Sequence, residues 1–188
     1  EMLPRLARRA VAYVSERAAA ARAGRPYFLY LPLTSPHTPI LPTPEWKGRS
    51  GLGDYGDFVM QTDAVVGDVL AALAEHGIAD NTLVIFTSDN GPERYAFERV
   101  RATGHRSAGG FRGLKRDLWE GGHRVPMVVR WPGRVPAGRV SDGLLSQVDL
   151  FATLAAATGA GIPPGSAEDS LDQLPLLEGK RGSARIEI

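Results

Sequence analysis

The sequence contains no cysteine, and this absence excludes several kinds of site at once. A chain without thiols forms no disulfide, no thiolate metal site and no cysteine nucleophile, and its redox compartment and localisation stay open. The chain also lacks an excess of either charge, because 22 basic and 21 acidic residues leave a formal net charge of +1. We therefore expect no nucleic-acid partner, since no strong basic field is present to attract one.

Long apolar runs are missing from the sequence as well. The segment from Leu3 to Ala20 is interrupted by arginine and glutamate, so it is neither a signal peptide nor a transmembrane helix, which needs about 20 apolar residues. We therefore expect no membrane partner. Lysine is scarce, occurring only at Lys47, Lys115 and Lys180, which makes each lysine notable. The hydrophobic content of 43% is sufficient for one packed globular domain.

Apolar residues recur at helical spacing in three places, over residues 3–14, 58–73 and 151–155. Each of these stripes predicts an amphipathic helix. Gly77 suits a left-handed end of the second helix, and the third helix is expected to run to Gly159. Ser146 and Asp149 resemble a capping box at the start of the third helix.

Three short apolar runs predict strands, over residues 27–31, 82–87 and 125–131. The β-branched run at 82–87 is typical of a strand that helices bury on both faces. Two long irregular stretches, at 32–56 and 92–124, are of the kind that carries function in compact domains. The alternation predicts an α/β fold with a mostly parallel sheet flanked by helices, in one incomplete domain over residues 1–188.

Polar residues directly after a predicted strand are the first candidates for a site, because ligands bind beyond the carboxyl ends of such strands. His37 stands in a Pro-His-Thr-Pro sequence, where prolines restrict the backbone around a side chain able to act as a general acid. Asp89 and Asn90 follow the strand at 82–87 and offer the oxygen ligands that calcium and magnesium prefer. A loop histidine without a role and an Asx turn are the alternative interpretations.

A basic stretch over residues 112–126 contains a further candidate, Lys115. Its ammonium is a compact charge that suits a tetrahedral oxyanion, and the neighbouring arginines can bind such an anion through their planar forks. A solvated surface loop is the alternative interpretation.

In their order along the chain, these motifs resemble the later part of the catalytic domain of formylglycine-dependent sulfatases, which belong to the alkaline-phosphatase-like superfamily. The resemblance covers nearly the whole chain. It is carried by Pro-His-Thr-Pro at 36–39, Asp-Asn-Thr-Leu-Val-Ile-Phe-Thr-Ser-Asp-Asn-Gly at 80–91, Gly-Leu-Lys at 113–115, Glu-Gly-Gly-His-Arg-Val-Pro at 120–126 and Arg-Trp-Pro-Gly at 130–133.

The resemblance implies a role for each matching residue. Asp89 and Asn90 match metal ligands that usually hold Ca²⁺, with Mg²⁺ as an alternative. Lys115 matches the lysine that binds a sulfate oxygen, and His37 matches the histidine that contacts the sulfate and protonates the leaving alcohol. His105 lies in a stretch that some members place near the substrate, although an ordinary loop histidine is the alternative. The implied partner is a small-molecule or glycan sulfate ester, whose identity stays open together with the oligomeric state.

Other matching positions are expected to be structural: Thr38, Gly121, Gly122, Arg124 and Pro126. His76 and His123 are most simply structural or exposed, and Ser107 shares the weak assignment of the stretch around His105.

The chain departs from the family pattern upstream of these motifs. The family places a Cys-x-Pro-x-Arg or Ser-x-Pro-x-Arg segment there, whose first residue becomes formylglycine, and no such segment occurs in this sequence. The aspartate pair that completes the metal site is missing too, and two ligands fall short of the about six to eight oxygens that calcium takes. We therefore expect the middle-to-late part of a longer sulfatase, inactive by itself.

Two other functions stay open at this point. A phosphodiesterase or phosphonate monoester hydrolase of the same superfamily would use a similar pocket, because phosphorus also forms tetrahedral oxyanions. The other alternative is a non-catalytic relative that binds sulfated glycans or no ligand. The missing nucleophile favours this alternative, whereas the intact set of His37, Asp89, Asn90 and Lys115 disfavours it.

Overall fold

The computed structural model describes residues 2–188, which form helices and one two-stranded sheet. The helices are α1 (Met2–Arg22), α2 (Gly53–Glu75), α3 (Tyr95–Thr103), α4 (Glu120–His123), α5 (Leu150–Thr158) and α6 (Leu174–Leu177). The strands β1 (Val84–Thr87) and β2 (Met127–Arg130) pair in a two-stranded sheet. The predicted α/β class is confirmed.

The chain divides into two compact units. The first contains residues up to Ala79 together with Phe86–Val128, and the second contains Asp80–Ile85 together with Val129–Ile188. All candidate site residues lie in the first unit.

The core of the first unit forms between α1 and α2. One face of α1 is buried along its whole length, through Leu3, Ala7, Ala10, Val14 and Ala18. Leu3 and Ala7 cluster with Phe58 and Val65 of α2, and the loop between the helices adds Leu33 to this cluster. Both helices were predicted from their apolar stripes, and both predictions are confirmed because burying those stripes against each other removes apolar surface from water.

The predicted strand at 27–31 is wrong, since no strand forms there in the described chain. The segment keeps the period of a strand, with Tyr27, Leu29 and Leu31 partly buried while Phe28 and Tyr30 between them are 69% and 76% exposed. A strand also requires a neighbouring backbone to accept and donate its hydrogen bonds, and residues 2–188 place none beside this segment.

The other two strands form at shorter lengths than predicted. Only residues 84–87 of the run 82–87 and residues 127–130 of the run 125–131 are hydrogen-bonded as strands. The expectation that β1 is buried on both faces is wrong, because Val84, Ile85 and Thr87 are half-buried and Phe86 is exposed. In the part of the chain that the structure describes, helices do not cover both faces of the small sheet.

Helix α3 lies inside the stretch 92–124, which was predicted to be irregular. Its apolar residues Tyr95, Phe97 and Val100 are exposed, and Ala96 is its buried residue. A helix without an apolar stripe gives no periodic pattern in the sequence, so hydrophobic periodicity could not predict α3. The helix ends at Gly104, whose φ of 76° is the left-handed conformation that glycine adopts freely.

The second unit is built around α5 and α6. The capping box is confirmed, because Ser146 and Asp149 bond reciprocally at the start of the turn that leads into α5. Gly159 ends that helix with a φ of 72°, as predicted. Across residues 2–188, the longest helices are too polar to cross a lipid bilayer.

Candidate functional site

Two loops of the first unit are joined by backbone contacts so close that they admit only glycine. The loop after β1 and the loop before β2 meet where the N–H of Gly91 donates to Gly122 O at 2.9 Å. A Cβ on Gly91 would lie 1.8 Å from Gly121 O, and a Cβ on Gly121 would lie 2.1 Å from Gly113 O. These contacts explain why glycine occupies the Glu-Gly-Gly motif, and they support the structural role expected of Gly121 and Gly122.

The same packing places Lys115 beside the Asp-Asn pair. The backbone N–H of Lys115 donates to Pro92 O at 2.8 Å, two residues beyond Asn90. The N–H of Gly121 donates to Arg112 O at 2.8 Å and closes the second loop on itself. Lys115 and Asn90, 25 positions apart in the sequence, therefore stand on touching segments of backbone.

A tight turn presents Lys115. The N–H of Asp117 donates to Leu114 O at 2.9 Å, and the N–H of Leu114 donates to the Asp117 carboxylate at 2.8 Å. Arg116 occupies the third position of this turn with a φ of 79°, where turns of this kind favour glycine. A non-glycine residue in the left-handed region persists only where its surroundings hold it, and such residues concentrate at functional sites.

Asp89 and Asn90 keep oxygen atoms free for a ligand. Asp89 is exposed, and no donor in residues 2–188 hydrogen-bonds its carboxylate. Asn90 donates through Nδ2 to Gly91 O at 2.9 Å, which fixes the side-chain amide and leaves Oδ1 without a partner among these residues. The hydroxyl of Ser88 donates to Asn90 O at 3.1 Å and holds the backbone of the pair.

These two side chains have the chemistry of calcium ligands but not the number that calcium needs. Within residues 2–188, no group of three or more His, Asp or Glu side chains is arranged to hold a metal ion. Calcium takes about six to eight oxygens, and Asp89 with Asn90 supplies at most three side-chain oxygens. The described residues therefore fit part of a metal site and do not complete one.

Glu93 and Arg116 form an ion pair at the junction of the two loops. Glu93 also accepts a hydrogen bond from the N–H of Arg94 at 2.8 Å. That bond, followed by the bond from Arg116 and the charges of Arg116 and Lys115, lowers the pKa of Glu93 below its ordinary value. The positive charge of Lys115 thus acts on Glu93, a residue that none of the sequence motifs includes.

His37 lies on an exposed loop with both flanking X-Pro bonds, Ser35-Pro36 and Thr38-Pro39, in the cis form. Its Nδ1 is 2.7 Å from Thr38 O, and because a carbonyl oxygen only accepts, Nδ1 carries the proton of that bond. Nε2 is then the nitrogen left for a substrate, and it has a proton to give when the ring is charged.

Buried polar residues of α2 anchor the loop that carries His37. The hydroxyls of Thr62 and Ser35 are hydrogen-bonded to each other at 2.7 Å, and Gln61 accepts from the N–H of Thr43 at 3.1 Å. The carboxylate of Asp57 accepts from the backbone N–H groups of Gly48 and Ser50 at 2.7 and 2.8 Å. These hydrogen bonds offset the burial of three polar side chains on the same helix.

The remaining candidates have separate surroundings. His105 is half-buried just after α3, and its N–H lies 3.3 Å from Thr103 Oγ1. Ser107 accepts a hydrogen bond from Arg99 Nε at 3.0 Å, and Arg99 in turn stacks on the ring of Tyr55 at 3.6 Å. Ser107 is thereby bound within the protein. His76 holds Ser15 through Nε2 at 2.8 Å, which agrees with its expected structural role.

The structure thus brings together three of the five predicted site residues. Asp89, Asn90 and Lys115 share one junction, whereas no hydrogen bond or ion pair among residues 2–188 joins His37 or His105 to that junction. Sequence reasoning missed Glu93, because its partner Arg116 lies in a distant loop. It also missed the polar face of α2, although Asp57, Gln61 and Thr62 recur at helical spacing beside apolar residues.

Comparison with known proteins gives one consistent result. The family model described as Sulfatase matches residues 5–160. An N-acetylgalactosamine-6-O-sulfatase of Bacteroides thetaiotaomicron is 40% identical over 169 residues, covering 87% of this chain and 32% of the relative. Human arylsulfatase A is 40% identical over 187 residues, covering 99% of this chain and 36% of the relative. The chain therefore spans about a third of the length of the curated relatives it matches.

Solved structures show the same similarity in three dimensions. A Bacteroides thetaiotaomicron protein, solved in work on the metabolism of multiple glycosaminoglycans, superposes with a TM-score of 0.84 at 36% identity. That match covers 95% of this chain and 37% of the solved chain. A sulfatase from Pseudoalteromonas sp. superposes with a TM-score of 0.83 at 29% identity, covering 96% of this chain and 35% of its own.

Proposed function

The chain belongs to the sulfatase family, and from that premise we propose that it supplies part of the active site of a sulfuric ester hydrolase. The observation that supports this most directly is the junction of the two loops. Backbone hydrogen bonds from Gly91 to Gly122 and from Lys115 to Pro92 join the backbone segment that carries Asp89 and Asn90 to the one that carries Lys115. A metal ion bound by Asp89 and Asn90 and the ammonium of Lys115 could then contact the same anionic ester group.

Lys115 is proposed to bind a non-bridging oxygen of the ester sulfate. Among residues 2–188 its ammonium makes no ion pair of its own, so it is available to an external anion. Charge accumulates on the sulfuryl oxygens as the S–O bond to the alcohol breaks, and a positive group already in place stabilises that charge.

His37 is proposed to protonate the leaving alcohol. Because the hydrogen bond to Thr38 O orients the ring through Nδ1, the proton that moves is the one on Nε2 of the charged imidazolium. The hydrogen bond between Thr62 and Ser35 anchors the loop and so restricts the position of the imidazole ring. General-acid catalysis requires such a fixed position.

Asp89 and Asn90 are proposed as two ligands of a Ca²⁺ ion, which would neutralise part of the sulfate charge when bound. The nucleophile is proposed to be a formylglycine outside this sequence, since these 188 residues contain neither cysteine nor a Ser-x-Pro-x-Arg segment. His105 stays a prediction as a further substrate contact. The proposed substrate class is a small-molecule or glycan sulfate ester.

The function is tested by expressing the whole protein to which this chain belongs, alone and as Lys115→Ala, and assaying an aryl sulfate beside the matching aryl phosphate. We expect preference for the sulfate and a loss of about a hundredfold in turnover on removing Lys115, as when one preorganised oxyanion donor is lost. Preference for the phosphate would instead identify a phosphoesterase. The separately expressed 188-residue chain should release no phenol.

A further inference from the structure

Glu93 bridges the two loops of the junction with a single carboxylate. One oxygen accepts the N–H of Arg94 at 2.8 Å, so the carboxylate is held against its own loop, three residues beyond Asn90. The other oxygen pairs with the guanidinium of Arg116, which belongs to the turn that presents Lys115. The Glu93 side chain is partly buried, at 31% exposure, whereas that of Arg116 is 69% exposed, so solvent reaches the pair from the arginine side.

The partner of Glu93 occupies the strained position of the turn. Arg116 has a φ of 79°, a conformation in which glycine would be relaxed. The turn is also held by Asp117, which bonds both the N–H and the C=O of Leu114. The ion pair with Glu93 on the opposite loop therefore restrains Arg116, whose backbone is directly next to Lys115.

Lys115 itself is held only through its backbone. Its N–H donates to Pro92 O at 2.8 Å, while Nζ has neither an ion pair nor a hydrogen bond within residues 2–188. The ammonium lies close enough for its charge to act on Glu93, after the closer contacts of that carboxylate with Arg94 and Arg116. The negative charge of Glu93 on the opposite loop thus attracts a side chain that has four rotatable bonds.

We propose that Glu93 is a positioning residue for Lys115, which acts through the ion pair with Arg116 and through its own charge to hold the ammonium at the junction with Asp89 and Asn90. This inference rests on the proposed function, since it takes Lys115 as the group that binds the ester sulfate. Glu93 does not touch the substrate. Glu93 fixes the position of the Lys115 ammonium before the substrate binds.

Two single substitutions remove the pair without removing the turn. Glu93→Gln keeps the shape of the side chain and loses its charge, and Arg116→Gly relaxes the left-handed residue while removing the guanidinium. In the whole protein, each should lower kcat for an aryl sulfate by about tenfold with KM changed less than about twofold. The reason is that the Lys115 ammonium, once displaced, no longer stabilises the charge that develops in the transition state. Combining both substitutions should cost no more than either alone.

The decisive variant carries Glu93→Gln in a Lys115→Ala background. If Glu93 acts through the lysine, adding Glu93→Gln there changes kcat less than about twofold, whereas an independent structural role predicts the full tenfold loss again. Unchanged kcat in Glu93→Gln, together with a large loss in Lys115→Ala, overturns this inference and leaves the proposed function standing. Full activity of Lys115→Ala overturns both.

A second measurement does not depend on turnover. In the 188-residue chain, hydrogen exchange of the Lys115 amide should be at least about threefold faster in Glu93→Gln, because the loop that bonds Pro92 O opens more often. Glu75→Gln, at the exposed end of α2, is the matched control and should leave that amide unchanged. Equal protection of the Lys115 amide in Glu93→Gln and the unsubstituted chain contradicts the positioning role.

Discussion

Two aspartates of this chain, Asp149 and Asp89, stand in opposite environments. Asp149 is fully buried in the second unit and accepts a bidentate pair from Arg185, at 2.6 and 2.9 Å. It also accepts hydrogen bonds from Ser146 and Leu171 N–H groups at 3.0 Å, and from Gln173. Asp89 is exposed and is bonded by no donor in residues 2–188.

The difference separates a carboxylate whose oxygens are bonded within the protein from one whose oxygens stay free, as the proposed metal ligation by Asp89 requires. Burial alone would raise the pKa of Asp149, but the bonds from Arg185, Leu171 and Ser146 outweigh it and hold that pKa well below its ordinary value. Both oxygens are occupied, so no external cation can reach them. Asp89 leaves its oxygens to solvent, which is the state a metal ligand needs before the metal arrives.

Removing the charge of Asp149 should give the largest effect on stability. Asp149→Asn leaves Arg185 facing a neutral amide in a buried site, and losing one partner of such a pair costs about 3–5 kcal/mol. Urea unfolding of the chain measures the loss. A change in the free energy of unfolding below about 1 kcal/mol would mean that the Asp149 charge does not stabilise the fold more than that of Asp89.

Adding one methyl group at the glycine contacts should have the next largest effect. In Gly121→Ala the new Cβ would lie 2.1 Å from Gly113 O, so the two loops must separate, at a cost of about 1–3 kcal/mol and with loss of turnover in the whole protein. Gly67→Ala is the matched control, since its Cβ meets nothing within 4 Å on helix α2. The control should gain about 0.5–1 kcal/mol. Equal stability of the two variants would contradict the close approach.

Lowering the pH should destabilise the chain through the Asp149 network. Because the folded pKa of Asp149 lies below its ordinary value of 3.8, its contribution is complete above that pH and is lost as pH falls further. Each pH unit in that window removes up to about 1.4 kcal/mol. Unfolding midpoints should therefore fall more steeply below about pH 4 in the unsubstituted chain than in Asp149→Asn. Parallel pH curves would show that Asp149 is not the carboxylate involved.

Neutralising Asp89 should have the smallest effect on stability and should change metal binding instead. With no hydrogen bond to lose, Asp89→Asn is expected to alter the unfolding free energy by less than about 0.5 kcal/mol. In the whole protein, calcium affinity and turnover should fall together, while Asp142→Ala in an exposed irregular segment leaves both unchanged. Retention of calcium affinity in Asp89→Asn would remove it from the proposed ligands.

Much of the junction was predictable because its motifs are local. The order of Asp89-Asn90-Gly91, Lys115 and the Gly121-Gly122 pair identified the family without any structure, and the matching family model confirms that identification. The capping box at Ser146 and the glycine ends of α2 and α5 were equally readable, because each depends on residues only a few positions apart. When two residues interact only a few positions apart, their spacing in the sequence is enough to predict the contact.

The sequence by itself determined the two packed helices, the capping box, the candidate residues and the family, since each follows from periodicity or from a contiguous motif. Only the tertiary structure decided the rest. Residues 27–31 have the alternation of a strand and form none, because pairing needs a second backbone and none in residues 2–188 hydrogen-bonds to this segment. Glu93 became the partner of Arg116 only when two loops met through glycines without side chains, a contact that no spacing along the chain encodes.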